Sequence, residues 1–434
     1  MRSVSFILSL VTLILCAGCD NDLSVTETES AVIVTDEATA TAITTPVVRS
    51  ASPEPQTTTL VIWLPEALSS TDNPDVLALL ERQLQEFTSA EPNLKVEIRR
   101  KRSQDVGGII STLRSASIVA PGALPDLTLL RRDDLLTAAQ SDLIQPLEGQ
   151  ITTGVISGLS PHGVELGSIN NELYGIPYML ELLLVAYQPD STTDLTTIWS
   201  FETVLKNRLK FVFPAGRTSG ISDVFLLQYL AAGGTPPHDG TMELSEQALL
   251  TTLTFYEQAR EVGLVDASLL DYSTMLDYEP LLINGTVDAG TINSSTFMRL
   301  YATNDQFQLA FIPTVGGNPV TIMNGWMWVM VTDDSDRRAM SGRLVNWLMD
   351  SNRQGQYAQL LGMIPSQVEA LRNYPFRGVE TASFETLLQN ATIPFLENDT
   401  GTVGRVMQNA LAAVLRGDNT AEEATRDAVS QLSG

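Results

Sequence analysis

Apolar runs alternate with amphipathic stretches between residues 60 and 130, and this alternation restricts the fold more than any other feature of the sequence. Three runs have the continuous or alternating apolar pattern of β-strands, namely residues 60–63, 94–98 and 127–130. The stretches between them, residues 73–87 and 106–113, repeat apolar side chains at helical spacing, and Asn73 can cap the first of these helices. A β-α-β-α-β order predicts parallel strands with right-handed crossovers, and therefore an α/β fold.

The alternation continues along the rest of the chain. A helix is predicted to about Val262, with Ser245 as its cap and Gly263 as the residue that ends it. Further strands are predicted at residues 183–187, 209–213, 287–291, 309–312 and 326–331. A chain of 434 residues is too long for one ordinary core. We therefore expect two lobes, and in open parallel sheets we expect ligands beyond the carboxyl ends of the strands.

The first 18 residues are typical of a cleaved targeting signal. Arg2 precedes an apolar stretch from Val4 to Leu15, which is shorter than the roughly 20 residues that a membrane-spanning helix needs. Small residues then precede Cys19, in the pattern that a lipoprotein signal peptidase recognises. We expect a signal peptide at 1–18, a lipid on Cys19 and an extracytoplasmic protein held at the cell membrane by that lipid. An uncleaved N-terminal anchor helix is the alternative.

Composition narrows the chemistry of the mature chain. Cys16 and Cys19 are the only cysteines, so cleavage leaves one thiol and neither an internal disulfide nor a thiolate metal site. The formal net charge of −25 repels phosphate backbones, which argues against a nucleic-acid partner. Residues 19–58 contain no aromatic side chain and are rich in Thr, Ser and Ala, so they are predicted to be a disordered tether.

Four stretches of the sequence carry a resemblance to a known family. The first is Trp63 with Glu91-Pro92-Asn93 and the strand 94–98, and the second is Ala123-Leu124-Pro125-Asp126-Leu127 with Leu143-Ile144-Gln145-Pro146-Leu147. The third is Leu173-Tyr174-Gly175-Ile176-Pro177-Tyr178 with residues 184–190. The fourth is Asn324-Gly325-Trp326 with residues 356–365. They resemble the extracellular solute-binding proteins of ABC importers, the class that contains the maltose-binding protein.

The resemblance implies a two-lobed, periplasmic-binding-protein-like fold in which each lobe is a mostly parallel sheet flanked by helices. Lobe 1 would comprise residues 59–178 and 326–372, and lobe 2 residues 179–325 and 373–434. The lobes would enclose a small solute, such as a mono- or oligosaccharide, and deliver it to an ABC transporter permease. We expect a monomer that needs no cofactor and no metal.

Aromatic residues and one carboxylate are the first candidates for ligand contacts. Indole rings stack on the apolar faces of sugars, which makes Trp63, Trp326 and Trp328 candidates, with packing in the core or between the lobes as the alternative. The two-residue period of a strand predicts that Trp326 and Trp328 share one face. Glu181 interrupts an apolar run, so its carboxylate needs solvent, a partner or a ligand. The family often has a sugar-binding acid at this position. Tyr178 is a further candidate, with a structural hydroxyl contact as its alternative.

The remaining candidates follow predicted strands or open a late helix, and they are Arg131, Asp133, Arg217, Asn293, Ser294 and Arg405. The resemblance implies polar ligand contacts at these strand ends, although a helix start also favours Asp133 as a cap. Gly404 stands where some maltodextrin binders carry an aromatic residue. This difference weakens a maltodextrin assignment.

Enzyme signatures are missing from the sequence. His162 and His238 are the only histidines, and both lie in turn-like sequence, which argues against a histidine-based triad or metal cluster. Paired carboxylates can hydrolyse glycosides without histidine, so a lipid-anchored glycoside hydrolase is one alternative. An adhesion or structural lipoprotein with a non-functional cleft is another. The solute itself stays open, with phosphorylated polyols and peptides as alternatives to a sugar.

The lipid on Cys19 is directly testable. Cys19→Ser should abolish acyl labelling in cells and release or misprocess the protein, because the modified thiol would be absent. Metabolic labelling with a fatty-acid analogue and the mass of the mature chain measure this. Unchanged labelling and membrane association in the variant would contradict the prediction.

Overall fold

The structure is a computed structural model. It describes residues 57–69, 73–103, 107–189, 196–216, 220–237, 241–377, 379–395 and 397–433. The predicted signal peptide, Cys19 and the predicted tether before residue 57 lie outside the described residues. Arg217 also lies outside them.

The chain forms strands and helices in alternation from β1 onwards. The strands are β1 Thr58–Pro65, β2 Leu94–Lys101, β3 Leu127–Leu130, β4 Ser168–Ile169, β5 Glu172–Leu173, β6 Gly175–Tyr187, β7 Phe211–Val212, β8 Ala289–Asn293, β9 Gln308–Ala310, β10 Thr321–Met330, β11 Ile364–Pro365 and β12 Ala391–Thr392.

The first helices flank β1 to β8. They are α1 Pro74–Ser89, α2 Ile109–Val119, α3 Arg132–Gln140, α4 Thr153–Ser157, α5 Gly163–Gly167, α6 Phe201–Lys206, α7 Asp223–Ala231, α8 Glu246–Glu261 and α9 Glu279–Ile283. The later helices are α10 Ser294–Thr303, α11 Ser335–Leu348, α12 Ser351–Leu361, α13 Val368–Asn373, α14 Thr381–Gln389, α15 Glu397–Arg416 and α16 Ala421–Ser433. α15 is broken at Gly401, whose φ of 49° and ψ of −131° are not helical.

The main sheet has the strand order β2-β1-β3-β10-β6-β8-β7. At one end β1 pairs in parallel with β2 and β3, and at the other end β7 pairs in parallel with β8. The long strands β6 and β10 run antiparallel to each other and to their outer neighbours β3 and β8. The sheet therefore has a first half around β1 and a second half around β8, which β6 and β10 join.

The predicted β-α-β-α-β start is confirmed by β1, α1, β2, α2 and β3. Two strands are longer than their sequence patterns indicate, because β6 begins at Gly175 rather than Leu183 and β10 begins at Thr321 rather than Trp326. β6 pairs with β10 along its first part and with β8 and β9 along its last part, and β10 pairs with both β3 and β6. Both strands are buried almost throughout, so their apolar patterns do not show where one partner strand gives way to the next.

Helix caps lie where the sequence predicts them. The side chain of Asn73 accepts a hydrogen bond from the backbone N–H of Asp75 at 3.2 Å, and it begins α1. Ser245 caps α8 by accepting from the backbone N–H of Ala248 at 3.4 Å. Gly263, with a φ of 74°, follows the end of α8 in the left-handed region that favours glycine.

Alternate residues of β1 enter two different hydrophobic clusters, as the two-residue period of a strand requires. Leu60, Ile62 and Leu64 pack in a cluster that includes buried residues of α1, α11 and α12. Trp63 points to the opposite face, into the cluster that includes Ile109 and Leu113 of α2 and that continues into the second half. Within the described part of the chain, none of the helices combines the length and the apolar character needed to cross a membrane.

A buried ion pair ties the first half of the sheet to α11. Arg337 donates from Nε and Nη2 to the two carboxylate oxygens of Asp126 at 2.6 Å each, and from Nη2 to the carbonyl of Thr59 at 2.9 Å. The Asp126 side chain, 3% exposed, also accepts from the backbone N–H of Val61 at 2.7 Å. Bidentate Arg–carboxylate geometry is the strong form of this interaction. Asp126, from the Ala-Leu-Pro-Asp-Leu stretch, therefore joins β1, β3 and α11.

We expect Asp126→Ala to lower the free energy of unfolding by about 3 kcal/mol, because it removes the carboxylate partner of Arg337 and leaves the N–H of Val61 without its acceptor. Chemical denaturation measures the loss. Glu91→Gln is the control, since its partner Arg343 and Glu91 itself are both well exposed and the pair should contribute less than about 1 kcal/mol. Equal losses in the two variants would show that the buried pair has no special role.

Candidate functional site

A cavity of about 300 Å³ lies at the junction of the two halves of the sheet. Residues from the end of β3, the middle of β6 and β10, the end of β8 and the loop after β12 line it: Arg131, Asp133, Glu181, Leu183, Asp223, Asn293, Ile322, Asn324, Pro394 and Phe395. We call it the charged cavity. A second cavity of about 420 Å³, the adjoining cavity, shares Leu183, Asp223 and Asn293 with it. The two cavities are therefore neighbours, and we call them together the cleft.

Glu181 is the centre of the polar network in the charged cavity. Its Oε2 accepts from Nη1 of Arg131 at 2.6 Å, and its Oε1 accepts from the Ser295 hydroxyl at 2.6 Å. The Glu181 side chain is only 12% exposed, so these bonds offset much of the cost of removing a carboxylate from water. Arg131 directly follows β3 and Ser295 belongs to the first turn of α10, so the carboxylate links elements from both halves.

Trp326 contacts the same network through Arg131. The guanidinium carbon of Arg131 lies 5.7 Å from the centroid of the Trp326 ring, which is within the range of a cation–π interaction. The indole itself is buried in the cluster of the first half. Trp326 therefore contacts Arg131, one of the residues that line the charged cavity.

Among the described residues that line the charged cavity, carboxylates outnumber cations. Asp133, Glu181 and Asp223 face a single guanidinium, that of Arg131. Asp133 and Asp223 lie in the first turns of α3 and α7, where the helix dipole stabilises negative charge. Burial, and next the charge of Asp133, raise the pKa of the neighbouring Asp134, while Arg131 opposes the rise. Negative charge therefore predominates at this rim of the cleft.

The other aromatic candidates lie in the protein interior. Trp328 and Tyr178 are buried with their ring centroids 5.4 Å apart, and burial raises the pKa of the Tyr178 phenol well above its ordinary value. Trp63 is also buried, with Nζ of Lys101 4.4 Å from its ring centroid. These three side chains are not among the described residues that line the cleft. Their contact with a ligand stays a prediction.

The remaining candidates have separate positions. Asn293, the last residue of β8, lines both cavities. Ser294 is fully buried, and its hydroxyl accepts from the backbone N–H of Leu182 at 3.1 Å, which is a structural contact. Arg405 is an exposed residue of α15 that donates to the Thr402 hydroxyl at 3.2 Å.

Four polar or aromatic residues of the charged cavity and its network were not predicted as ligand contacts. Ser295 directly follows the candidate Ser294, and Asn324 lies two residues before the candidate Trp326, so proximity to these candidates could have indicated both. Asp223 follows Ser222 at the start of α7, a polar pair before an apolar helix. Phe395 comes shortly after the two-residue strand β12, and no local sequence pattern predicts so short a strand. In the described part of the chain, no cluster of His, Cys, Asp and Glu has the arrangement of a metal site.

Residues 83–375 match the family model of the bacterial extracellular solute-binding proteins. The chain belongs to this family. The predicted resemblance is therefore confirmed, and so is the expectation of a solute-binding protein rather than an enzyme. No curated protein matches the sequence of the chain.

Solved structures share the fold at low sequence identity. One is the cyclic α-maltosyl-1,6-maltose binding protein of Arthrobacter globiformis, with 13% identity, a TM-score of 0.66, and coverage of 86% of this chain and 97% of that one. Another is the maltose-binding periplasmic protein MalE of Listeria monocytogenes, with 16% identity, a TM-score of 0.65 and coverage of 86% and 96%. The sugar-binding protein MalE of Xanthomonas citri has 15% identity, a TM-score of 0.65 and the same coverage. The α/β fold of the two-lobed binding-protein type is confirmed.

The hydrogen bond between Ser294 and the backbone of β6 gives a prediction about stability. Ser294→Ala should lower the free energy of unfolding by about 1–3 kcal/mol, because the buried N–H of Leu182 loses its acceptor. Ser115→Ala is the control, since that exposed hydroxyl bonds only a carbonyl of its own helix. Denaturation curves compare the two, and a Ser294→Ala variant as stable as the Ser115→Ala variant would refute the structural role.

Proposed function

We propose that this solute-binding protein captures a neutral carbohydrate in the cleft and delivers it to the permease of an ABC importer. The observation that carries the proposal is the Arg131–Glu181–Ser295 network in the charged cavity. A sugar hydroxyl is both a donor and an acceptor, so it can bond a carboxylate and a guanidinium at once. Such fixed, partly desolvated polar groups give orientation and specificity in a ligand site.

The charge of the cavity supports a neutral solute. The described residues that line the charged cavity include three carboxylates and one guanidinium, a balance that disfavours a phosphorylated polyol or another anion, whereas hydroxyl groups donate to carboxylate oxygens. The names of the structural relatives support the same class, because they are maltose-binding, cyclic-maltosyl-maltose-binding and sugar-binding proteins. Gly404 continues to argue against a maltodextrin.

The proposal includes the predicted arrangement of the chain. Residues 1–18 are removed, Cys19 carries the lipid, and the tether that ends before β1 keeps a monomeric body near the membrane. The two lobes are residues 59–178 with 326–372 and residues 179–325 with 373–434. They close around the solute by bending at β6 and β10, the strands that join the two halves of the sheet.

Calorimetry and thermal shift with a panel of mono- and oligosaccharides test the proposal. At least one sugar should raise the melting temperature by mass action and be recovered intact. Glu181→Gln should weaken its binding about 10- to 100-fold, because the charge-assisted hydrogen bonds become neutral while the side-chain volume is kept.

Glu86→Gln is the matched control, because Glu86 is an exposed residue of α1 outside the cleft, and it should bind as the wild type does. Wild-type affinity in Glu181→Gln would remove Glu181 from the site. If no sugar of the panel binds, the carbohydrate assignment is contradicted. If a sugar is recovered cleaved, the hydrolase alternative is favoured.

A further inference from the structure

The adjoining cavity differs in chemistry from the charged cavity. Its apolar lining consists of Leu183, Pro214, Val224, Met275 and Leu276. Among the described residues that line the whole cleft, Phe395 is the one aromatic residue, and it belongs to the charged cavity. Aromatic rings are the usual platforms for flat sugar faces, whereas methionine and leucine side chains adapt to flexible aliphatic groups. The adjoining cavity therefore suits an aliphatic group better than a second sugar ring.

Leu276 is exposed at this cavity although it stands on a well-fixed turn. The side chain is 71% exposed in the short 3-10 turn Met275–Asp277. The backbone N–H groups of Ser273 and Thr274 donate to Oδ2 of Asp277 at 2.8 Å each, which caps the turn. The Thr296 hydroxyl donates to the Met275 sulfur at 3.6 Å, and this contact joins the turn to α10. The apolar wall is thus preformed.

The two cavities can hold one molecule. Leu183, Asp223 and Asn293 line both, so a solute whose polar part bonds Glu181 extends past Leu183 toward Met275 and Leu276. A concave site with an apolar lining and a few polar groups is the usual form of a ligand pocket. The exposed residues Ser273 and Thr274 supply polar groups at the edge of this one.

We propose that the solute is amphipathic, a glycoside whose sugar occupies the charged cavity and whose aliphatic substituent occupies the adjoining cavity. The sugar half of this statement rests on the proposed function, and the aliphatic half rests on the lining of the adjoining cavity. Each methylene that the cavity removes from water should strengthen binding about fourfold.

A neutral, polarity-sensitive dye tests the aliphatic half without knowledge of the sugar. Nile red should bind the mature protein at a single saturable site with a blue-shifted emission, and Leu276→Asp should weaken that binding at least about tenfold. Ile118→Asp is the matched control, because Ile118 is a 79% exposed apolar residue on α2 that does not line the cleft, and it should bind the dye as the wild type does. Unchanged melting temperatures verify that both variants are folded. Dye binding that does not saturate, or that is equal in the two variants, would overturn the proposal.

A matched pair of glycosides tests the complete statement. For each sugar of the panel, the n-hexyl glycoside should bind more tightly than the methyl glycoside, and Leu276→Asp should reduce that preference. Equal affinities of the pair, with the sugar bound, would overturn the amphipathic solute and leave the proposed function standing. If no sugar or glycoside binds but the dye result holds, the proposed function fails and the adjoining cavity is an apolar site alone.

Discussion

The antiparallel ladder between β6 and β10 is the interaction on which the rest of the structure depends. It runs from the pair Met323 with Leu182 to the pair Val329 with Gly175, and it joins the two halves of the sheet. The strands approach so closely that a Cβ on Gly325 would lie 2.3 Å from the carbonyl oxygen of Met179, so only glycine fits there. Glu181 and Asn324 are opposite each other in this ladder, which is why they reach one cavity.

Much of the fold could be predicted because its signals are local. The caps at Asn73 and Ser245 and the glycine after α8 depend on neighbours within a few residues, and each lies where the sequence indicates. The full length of β6 could not be predicted, because its first part is fixed by pairing with β10, far away in the chain. Apolar patterns identify a buried strand but do not say how many partners bury it.

The site divides in the same way. Glu181 could be predicted to need a partner, because an isolated carboxylate in an apolar run is unfavourable. Its partner Ser295 could not be predicted, since the two are 114 positions apart in sequence. The alternation that puts Trp326 and Trp328 on one face is correct, and both enter the same cluster. The two-residue period of a strand identifies which side chains share a face. Only the packing of elements distant in sequence decides whether that face contacts the core or a cleft.

The bonds between Arg131, Glu181 and Ser295 would have a kinetic consequence under the proposed function. These side chains already bond one another in the structure, so a sugar hydroxyl that bound here would exchange for an existing contact rather than meet a bare charge. On its departure the same contacts would re-form and stabilise the vacated side chains. Differences in affinity between related complexes arise mainly in dissociation rates. Side chains that re-form bonds with one another as the solute dissociates would therefore favour short residence times, which suits a protein that releases its solute to a permease.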